Sequence, residues 1–326
     1  MVRTILLLLP MILASSLLMG CGPESPVETA PVSFAVSDAA VGDLDAVVIT
    51  IDRVTLNRPG DDVVIDSFPD DEGGEDTDTI TVDLLDLQGT DYKVIVDTMD
   101  LEVGEYQNIR LSIINEDIDR SYVDETGGGR KPIKVPSNEL KLGGFEVTSG
   151  GPHVFVLEFP LTQAMTYNPG PDRYILKPRG IRVVSVEQAA LIEGVVDPNL
   201  FDGEEPCSLK PDATLGNVMY LYTGHDLAPD ELADMFDPDV DEDAADSLIE
   251  PYTSENVAED GSFIIAYLPA NDYTLSFSCD AEHDDPELDD GIVIPTPMDQ
   301  WVEISLTPGE EKVCNFPVTV EGDECG

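Results

Sequence analysis

Alternating apolar and polar positions recur along most of the chain. In residues 46–56 the side chains of Val47, Ile49 and Ile51 fall on one face, and the positions between them are more polar. A period of two predicts a strand that buries one face. Comparable segments, rich in β-branched or aromatic residues and separated by Gly, Pro, Asp and Asn, are 32–36, 79–84, 106–114, 154–159, 181–186, 190–196, 217–222, 262–268, 273–279, 301–306 and 313–320. The pattern predicts a mainly β chain with two antiparallel β-sandwich domains in tandem.

One stretch of the second half breaks this pattern. Pro229 followed by acidic residues is typical of a helix start, and residues 229–236 and 242–249 lack the strand alternation. The sequence therefore predicts a short helical insertion on the second sandwich.

The first twenty residues have the layout of an export signal. Arg3 supplies a positive charge, residues 5–19 are apolar, and Gly20 is small. The apolar run is shorter than the roughly 20 residues that a membrane-spanning helix needs. We expect residues 1–20 to be a signal peptide that is removed.

The four residues Leu18-Met19-Gly20-Cys21 resemble the lipobox of bacterial lipoproteins. The resemblance implies cleavage before Cys21, followed by attachment of diacylglycerol and a further acyl chain such as palmitate to this cysteine. Residues 21–30 then form a lipidated tether. Gly22, where an inner-membrane protein would have Asp, favours the outer membrane, with the folded part outside the cytoplasm. An ordinary secreted protein is the alternative.

Charge divides the chain and excludes one class of partner. The sequence holds 67 acidic and 16 basic residues, and its formal charge of −51 repels phosphate backbones, so nucleic acid is not an expected partner. Residues 190–326 contain 35 of the acids but only Lys210 and Lys312 as bases. This shift predicts a boundary between one domain at 31–188 and another at 189–326.

Four cysteines remain when Cys21 is assigned to lipid. They are Cys207, Cys279, Cys314 and Cys325. In an oxidising compartment they predict two disulfides, and three pairings are open. A zinc site is the alternative, but no Cys-x-x-Cys spacing or neighbouring histidine supports it.

The first half resembles the bacterial lipoprotein family catalogued as domain of unknown function 4382. The similar segments are DAA at 38–40, VVITIDRVTL at 47–56, VDLLDL at 82–87, GEYQNIRL at 104–111, LKL at 140–142, the strand at 155–159, YILKP at 174–178 and RVV at 182–184. They occur in the order typical of the family. This resemblance implies a β domain and supplies no catalytic residue.

The second half resembles a prealbumin-like, carboxypeptidase-regulatory type of β-sandwich. The similar segments are LIEGVV at 191–196, VMYLY at 218–222, EDGSFII at 259–265 and LPANDYTL at 268–275. Such modules mostly serve as folding, spacing or binding units. The resemblance therefore implies a structural or binding role.

Each half contains a tight turn that leads into a tyrosine. Gly104 precedes Tyr106, and Asn271 precedes Tyr273. We expect a turn residue with positive φ at Gly104 and Asn271, and an inward tyrosine whose hydroxyl bonds to nearby backbone, as in the tyrosine corners of sandwich folds.

No catalytic constellation is evident. The three histidines, His153, His225 and His283, lie beside no nucleophile elbow or zinc-protease helix, and we expect them at the surface. Calcium is the one cofactor that the pattern suggests, through the alternating acids of 237–243. The candidate ligands are Asp237, Asp239, Asp241 and Asp243. They fail the EF-hand spacing, so solvated acidic loops are the preferred interpretation and no cofactor is expected.

These observations predict a non-enzymatic envelope lipoprotein that is a structural or binding module. Its expected partners are the membrane, through the N-terminal lipid, and an unidentified envelope or extracellular protein or glycan. Two alternatives remain open. One is a carbohydrate-binding or hydrolytic surface protein that uses acidic residues, and the other is a calcium-stiffened protein of the adhesin type.

Overall fold

A computed structural model describes residues 27–39, 44–70, 73–203, 205–242, 244–245, 247–318 and 325. The predicted signal peptide, Cys21, most of the tether and Asp243 lie outside the described residues. Within them the chain is mainly β, as the alternation predicts.

The strands form two groups that do not pair with each other within the described residues. We call residues 27–189 the first unit. Its elements are β1 (Thr29–Ala39), β2 (Leu44–Asn57), β3 (Val63–Ile65), β4 (Ile80–Asp83), β5 (Lys93–Glu102), β6 (Gly104–Tyr106), β7 (Asn108–Ile113), β8 (Tyr122–Glu125), β9 (Gly129–Lys134), β10 (Glu139–Lys141), β11 (Phe145–Val147), β12 (His153–Pro160), α1 (Leu161–Ala164), β13 (Met165–Asn168), β14 (Arg173–Leu176) and β15 (Arg182–Ser185).

Residues 190–318 and 325 form the second unit. Its strands are β16 (Ala190–Val195), β17 (Val218–Thr223), β18 (Thr253–Asn256), β19 (Ser262–Leu268), β20 (Asp272–Ser278), β21 (Trp301–Ser305) and β22 (Glu311–Val313). Short 3-10 turns occur in both units, at Leu84–Leu87, Pro136–Asn138, Pro198–Leu200 and Cys207–Leu209.

In the first unit, a four-stranded sheet of order β15-β12-β1-β5 faces a larger sheet of order β10-β7-β2-β8-β9-β14-β13, with β3 and β4 paired to β2 and a small β11-β6 pair beside them. Val47, Ile49 and Ile51 are fully buried in the core between the sheets. The opposite face of β2 is less exposed to solvent than predicted. Thr50 on this face is also buried, and its hydroxyl donates to the carbonyl of Arg120 at 2.6 Å.

The second unit is built from two smaller sheets, of order β19-β16-β22 and β18-β17-β20-β21. Most strand pairings within the described residues are antiparallel, as expected. Among these pairs of named strands, three are parallel: β1 with β12, β9 with β14, and β16 with β22. These pairs join segments far apart in sequence, so local alternation contains no signal for their direction.

The predicted helical insertion is wrong. The described residues of 229–249 form turns, and Leu232 forms a bridge with Ile249. The physical reason is a competing set of hydrogen bonds. The buried carboxylate of Asp234 accepts the backbone N–H groups of Asp290 and Ile292, which fastens the segment to a distant loop. Helical geometry within 229–236 would give up these contacts.

Both tyrosines after tight turns are fully buried. The hydroxyl of Tyr106 donates to the carbonyl of Glu102 at 3.2 Å, and that of Tyr273 donates to the carbonyl of Pro269 at 2.9 Å. Gly104 has the expected positive φ of 141°, but Asn271 does not adopt positive φ. The asparagine is therefore tolerated without any left-handed backbone.

Candidate functional site at the seam between the units

The two units meet along a surface that we call the seam. Its apolar part contains Ala35, Val156 and Val184 of the first unit, and Ala266 and Tyr267 of the second. All five are buried. This contact covers the outer face of the four-stranded sheet, which would otherwise be an exposed apolar surface.

Tyr267 is an unusual residue of the seam because its backbone has a φ of 53°, which bulky side chains rarely adopt. It lies near the end of β19, where the register with β16 shifts between Ala190 and Ile192. Such irregularities redirect side chains. Here the tyrosine hydroxyl reaches the first unit and donates to the carbonyl of Thr90 at 2.6 Å.

A buried ion pair lies beside the apolar contact. Nη2 of Arg182 is 2.7 Å from Oε2 of Glu158, and the two side chains are 7% and 4% exposed. The guanidinium also lies over the ring of Tyr252 in the second unit, 5.3 Å from its centroid. Burial raises the pKa of Glu158 to about 7, and the positive charge of Arg182 opposes this rise. Arg182 thus links its own unit to the other.

Two further bases of the first unit reach into acidic loops of the second. Nζ of Lys177 lies 3.5 Å from Asp237 and also bonds to Glu287. Arg179 donates to the carbonyl of Pro286 at 2.8 Å and forms an ion pair with Glu250. These contacts, which we call the basic clamp, supply cations to a unit that has almost none.

An open cleft lies above the basic clamp, with a volume of about 840 Å³. Both units line it. The lining residues are Pro136, Lys141, Gln163, Lys177, Pro178, Arg179 and Gly180 of the first unit, and Thr223, Asp237, Pro238, Asp239, Glu250, Pro251 and Tyr252 of the second. Clefts between structural units are common places for ligands.

The described calcium candidates, Asp237, Asp239 and Asp241, form no metal-binding group, and Asp243 lies outside the described residues. Asp237 accepts the N–H of Asp239 at 3.1 Å and faces Lys177, whereas Asp241 accepts the N–H of Asp289 at 3.0 Å. Among the residues that the structure describes, no group of three or more His, Cys, Asp or Glu side chains could hold a metal ion.

The four remaining cysteines form two disulfides. Cys207 is bonded to Cys279, and Cys314 is bonded to Cys325. This is one of the three pairings that the sequence left open. Both bonds lie within the second unit.

The three histidines lie at separate places, and His153 and His225 are half-buried instead of fully exposed. Nε2 of His153 lies 3.0 Å from the carbonyl of Thr148, and Nε2 of His225 lies 3.2 Å from that of Ile304. His283 is exposed.

Sequence reasoning missed the buried acids of the seam and of the second unit. Glu158 is a lone acid in the apolar strand HVFVLEFP, and that placement is a signal for a buried, paired charge. Asp234 lies among buried apolar residues, and burial raises its pKa to about 7. Burial also raises the pKa of Asp284, to about 6, while the hydroxyl of Tyr220 donates to it at 2.6 Å.

Across the described part of the chain, no helix is long and apolar enough to cross a membrane. No curated protein matches the sequence.

Several solved structures align with most of the chain at low similarity. The Streptococcal ancillary pilin is 8% identical, with 87% of this chain and 67% of that one aligned and a TM-score of 0.21. The minor pilin GBS52 of Streptococcus agalactiae is 9% identical, over 90% and 99% of the two chains, with a TM-score of 0.19. The Bacillus anthracis TIE protein is 9% identical, with a TM-score of 0.19, and the alignment covers 88% of this chain but only 33% of that protein. These scores do not establish a shared fold.

A family match covers most of the first unit. Residues 29–178 match the profile described as a domain of unknown function (DUF4382). The match agrees with the resemblance carried by the motifs of the first half.

Proposed function

We propose that the protein is a non-enzymatic lipoprotein of a bacterial envelope and acts as a rigid structural or binding module. The observation that carries this proposal is the seam. Units joined only by a linker move independently unless their contact is large and well packed. Here an apolar contact, the Arg182 guanidinium over the ring of Tyr252 and the basic clamp all join the same two units.

Charge explains why the clamp is specific. The second unit is strongly acidic, and contacts between residues 234–242 and 284–290 bring several carboxylates close together. Lys177 and Arg179 of the first unit bond to acids and carbonyls of these two segments and of Glu250. The bases of the first unit therefore neutralise acids of the second, and these contacts favour one relative orientation of the two units.

The anchor is the predicted lipid on Cys21. Seven residues separate this cysteine from Thr29, where β1 begins. A chain of that length spans at most about 25 Å when fully extended. The start of β1 would thus stay close to the membrane, and the rigid pair of units would project from it.

Intact-mass analysis with membrane fractionation tests the anchor. The native protein is expected to carry acyl mass and to sediment with membranes, whereas Cys21→Ser is expected to be soluble without added mass. Gly22→Ala keeps the cysteine and serves as the matched control. Equal solubility of native protein and Cys21→Ser would contradict the lipoprotein assignment. Turnover of glycan, ester or peptide substrates by the purified protein would contradict the non-enzymatic role.

A further inference from the structure

The cleft beside the basic clamp lies at the opposite end of the first unit from Thr29, where β1 begins. β1 and β12 are parallel, with Val32 beside His153 and Asp38 beside Phe159. Gln163 follows the end of β12, and Arg179 precedes the antiparallel strand β15. An eleven-residue strand is about 35 Å long. The start of β1 and the cleft are therefore separated by roughly this length, so a lipid on Cys21, as proposed above, would leave the cleft on the far side from the membrane.

The charge of the cleft differs from that of the chain. Its lining contains three bases, Lys141, Lys177 and Arg179, and three acids, Asp237, Asp239 and Glu250. The chain as a whole has 67 acids and 16 bases. Most of the protein surface is negatively charged and would repel an anionic ligand. In the cleft the positive and negative side chains are equal in number, so this repulsion is weaker.

Lys141 is the cation that remains available. Lys177 and Arg179 already bond to the acids and carbonyls of the clamp. Their donors are therefore largely satisfied, and they would bind a further anion only weakly. Lys141 is exposed and forms no ion pair within 4 Å in the described part of the chain. The ammonium group of Lys141 could therefore donate a charge-assisted hydrogen bond to a carboxylate that enters the cleft.

The walls supply flat apolar faces instead of a peptide-binding edge. Pro136, Pro178 and Pro238 line the cleft and are exposed, whereas Pro251 is buried and the half-buried ring of Tyr252 packs against Arg182 and Tyr273. Proline has no backbone N–H, so these positions cannot add a strand to an extended peptide. Rigid rings with polar side chains between them suit a ligand that has apolar faces and hydroxyl-bearing edges.

We propose that this cleft binds a carbohydrate that carries carboxylate groups, with Lys141 as the residue that recognises the carboxylate. The sugar rings lie against the exposed prolines Pro136, Pro178 and Pro238, and hydroxyl groups face the polar side chains of the clamp. The inference deepens the proposed function, because it names the ligand class of a module that is held at the membrane and presents the cleft outward.

Calorimetry with the full-length protein in detergent tests this assignment. The probes are a hexamer of galacturonic acid, a neutral glucose hexamer and hexaglutamate. The uronate is expected to bind best, and Lys141→Ala is expected to weaken it about tenfold or more, which corresponds to the loss of one charge-assisted hydrogen bond. Lys312→Ala removes the same charge outside the cleft and is expected to bind as the wild type does, with unchanged melting temperatures for both variants.

Failure to bind the uronate would overturn the assignment, and so would equal affinity of Lys141→Ala and wild type. Equal binding of the neutral hexamer would remove the role of the carboxylate. Equal binding of hexaglutamate would remove the preference for carbohydrate. If the uronate does not bind while acyl mass is found on Cys21, the proposed lipoprotein module stands and only the ligand assignment fails.

Discussion

Arg182 of β15 and Glu158 of β12 form an ion pair whose nearest atoms are 2.7 Å apart, buried where the two units meet. The same guanidinium faces Tyr252 and the carbonyl of Ala266 in the second unit, the latter at 3.5 Å. One side chain therefore has a role in the first unit and in the seam. Its removal should affect both.

Arg182→Met is expected to lower the free energy of unfolding by about 3–5 kcal/mol, because it leaves the Glu158 carboxylate buried without its partner. The double variant Glu158→Leu with Arg182→Met removes both charges and should recover most of this loss. Denaturant unfolding followed by fluorescence measures both effects. Arg130→Met, which breaks an exposed pair with Asp124, should change stability by less than about 1 kcal/mol. Equal losses in the single and double variants would refute this explanation.

Asp234 should make the second unit less stable as pH rises. Burial raises its pKa in the folded protein to about 7, from an ordinary value of 3.8. Between these values the folded state holds a proton that the unfolded state releases, so the free energy of unfolding falls with rising pH. Asp234→Asn cannot titrate. Its stability profile should lack this decline, which is on the order of 3 kcal/mol. Parallel profiles of variant and wild type from pH 4 to 7 would show that Asp234 does not titrate in this way.

The two disulfides should differ in their contributions. The Cys207–Cys279 bond closes a sequence separation of 72 residues, and the Cys314–Cys325 bond one of 11. A disulfide restricts the unfolded chain and so raises the free energy of unfolding. This effect is expected to be about 4 kcal/mol for the longer loop and about 3 kcal/mol for the shorter one. Replacing each pair with alanine and measuring melting temperatures tests this order. Peptide mapping under non-reducing conditions tests the pairing itself, and a crossed linkage would disprove it.

The tyrosine corners should contribute similar amounts in both units. Tyr106→Phe and Tyr273→Phe each remove one hydroxyl bond to a backbone carbonyl while keeping the buried ring. Each is expected to lower stability by about 1 kcal/mol. Tyr167→Phe is a control at an exposed ring and should have a smaller effect. Loss of binding or acylation without loss of stability would indicate a role other than architecture.

Local patterns were enough to predict much of the fold. The alternation of Val47, Ile49 and Ile51 marks a buried face of β2, and the turns before Tyr106 and Tyr273 mark two corners. These features depend on neighbours within a few residues, so a short stretch of sequence is enough to predict them.

The seam and the 229–249 segment could not be predicted in the same way. Arg182 meets Tyr252, and Asp234 meets Ile292, only after distant strands have packed. Proline and acids in 229–236 satisfy the local rules for a helix start, but the buried Asp234 carboxylate binds N–H groups of another loop. Tertiary hydrogen bonds outweighed local propensity there.

The claim that the two units form one rigid module is tested most directly by nitrogen-15 relaxation NMR on the Cys21→Ser protein. Backbone amides of both units are measured in the same sample. The rigid seam predicts a single rotational correlation time, that of the whole chain, for β1–β15 and for β16–β22. Two shorter and different correlation times would show that the units move independently, and would contradict the account.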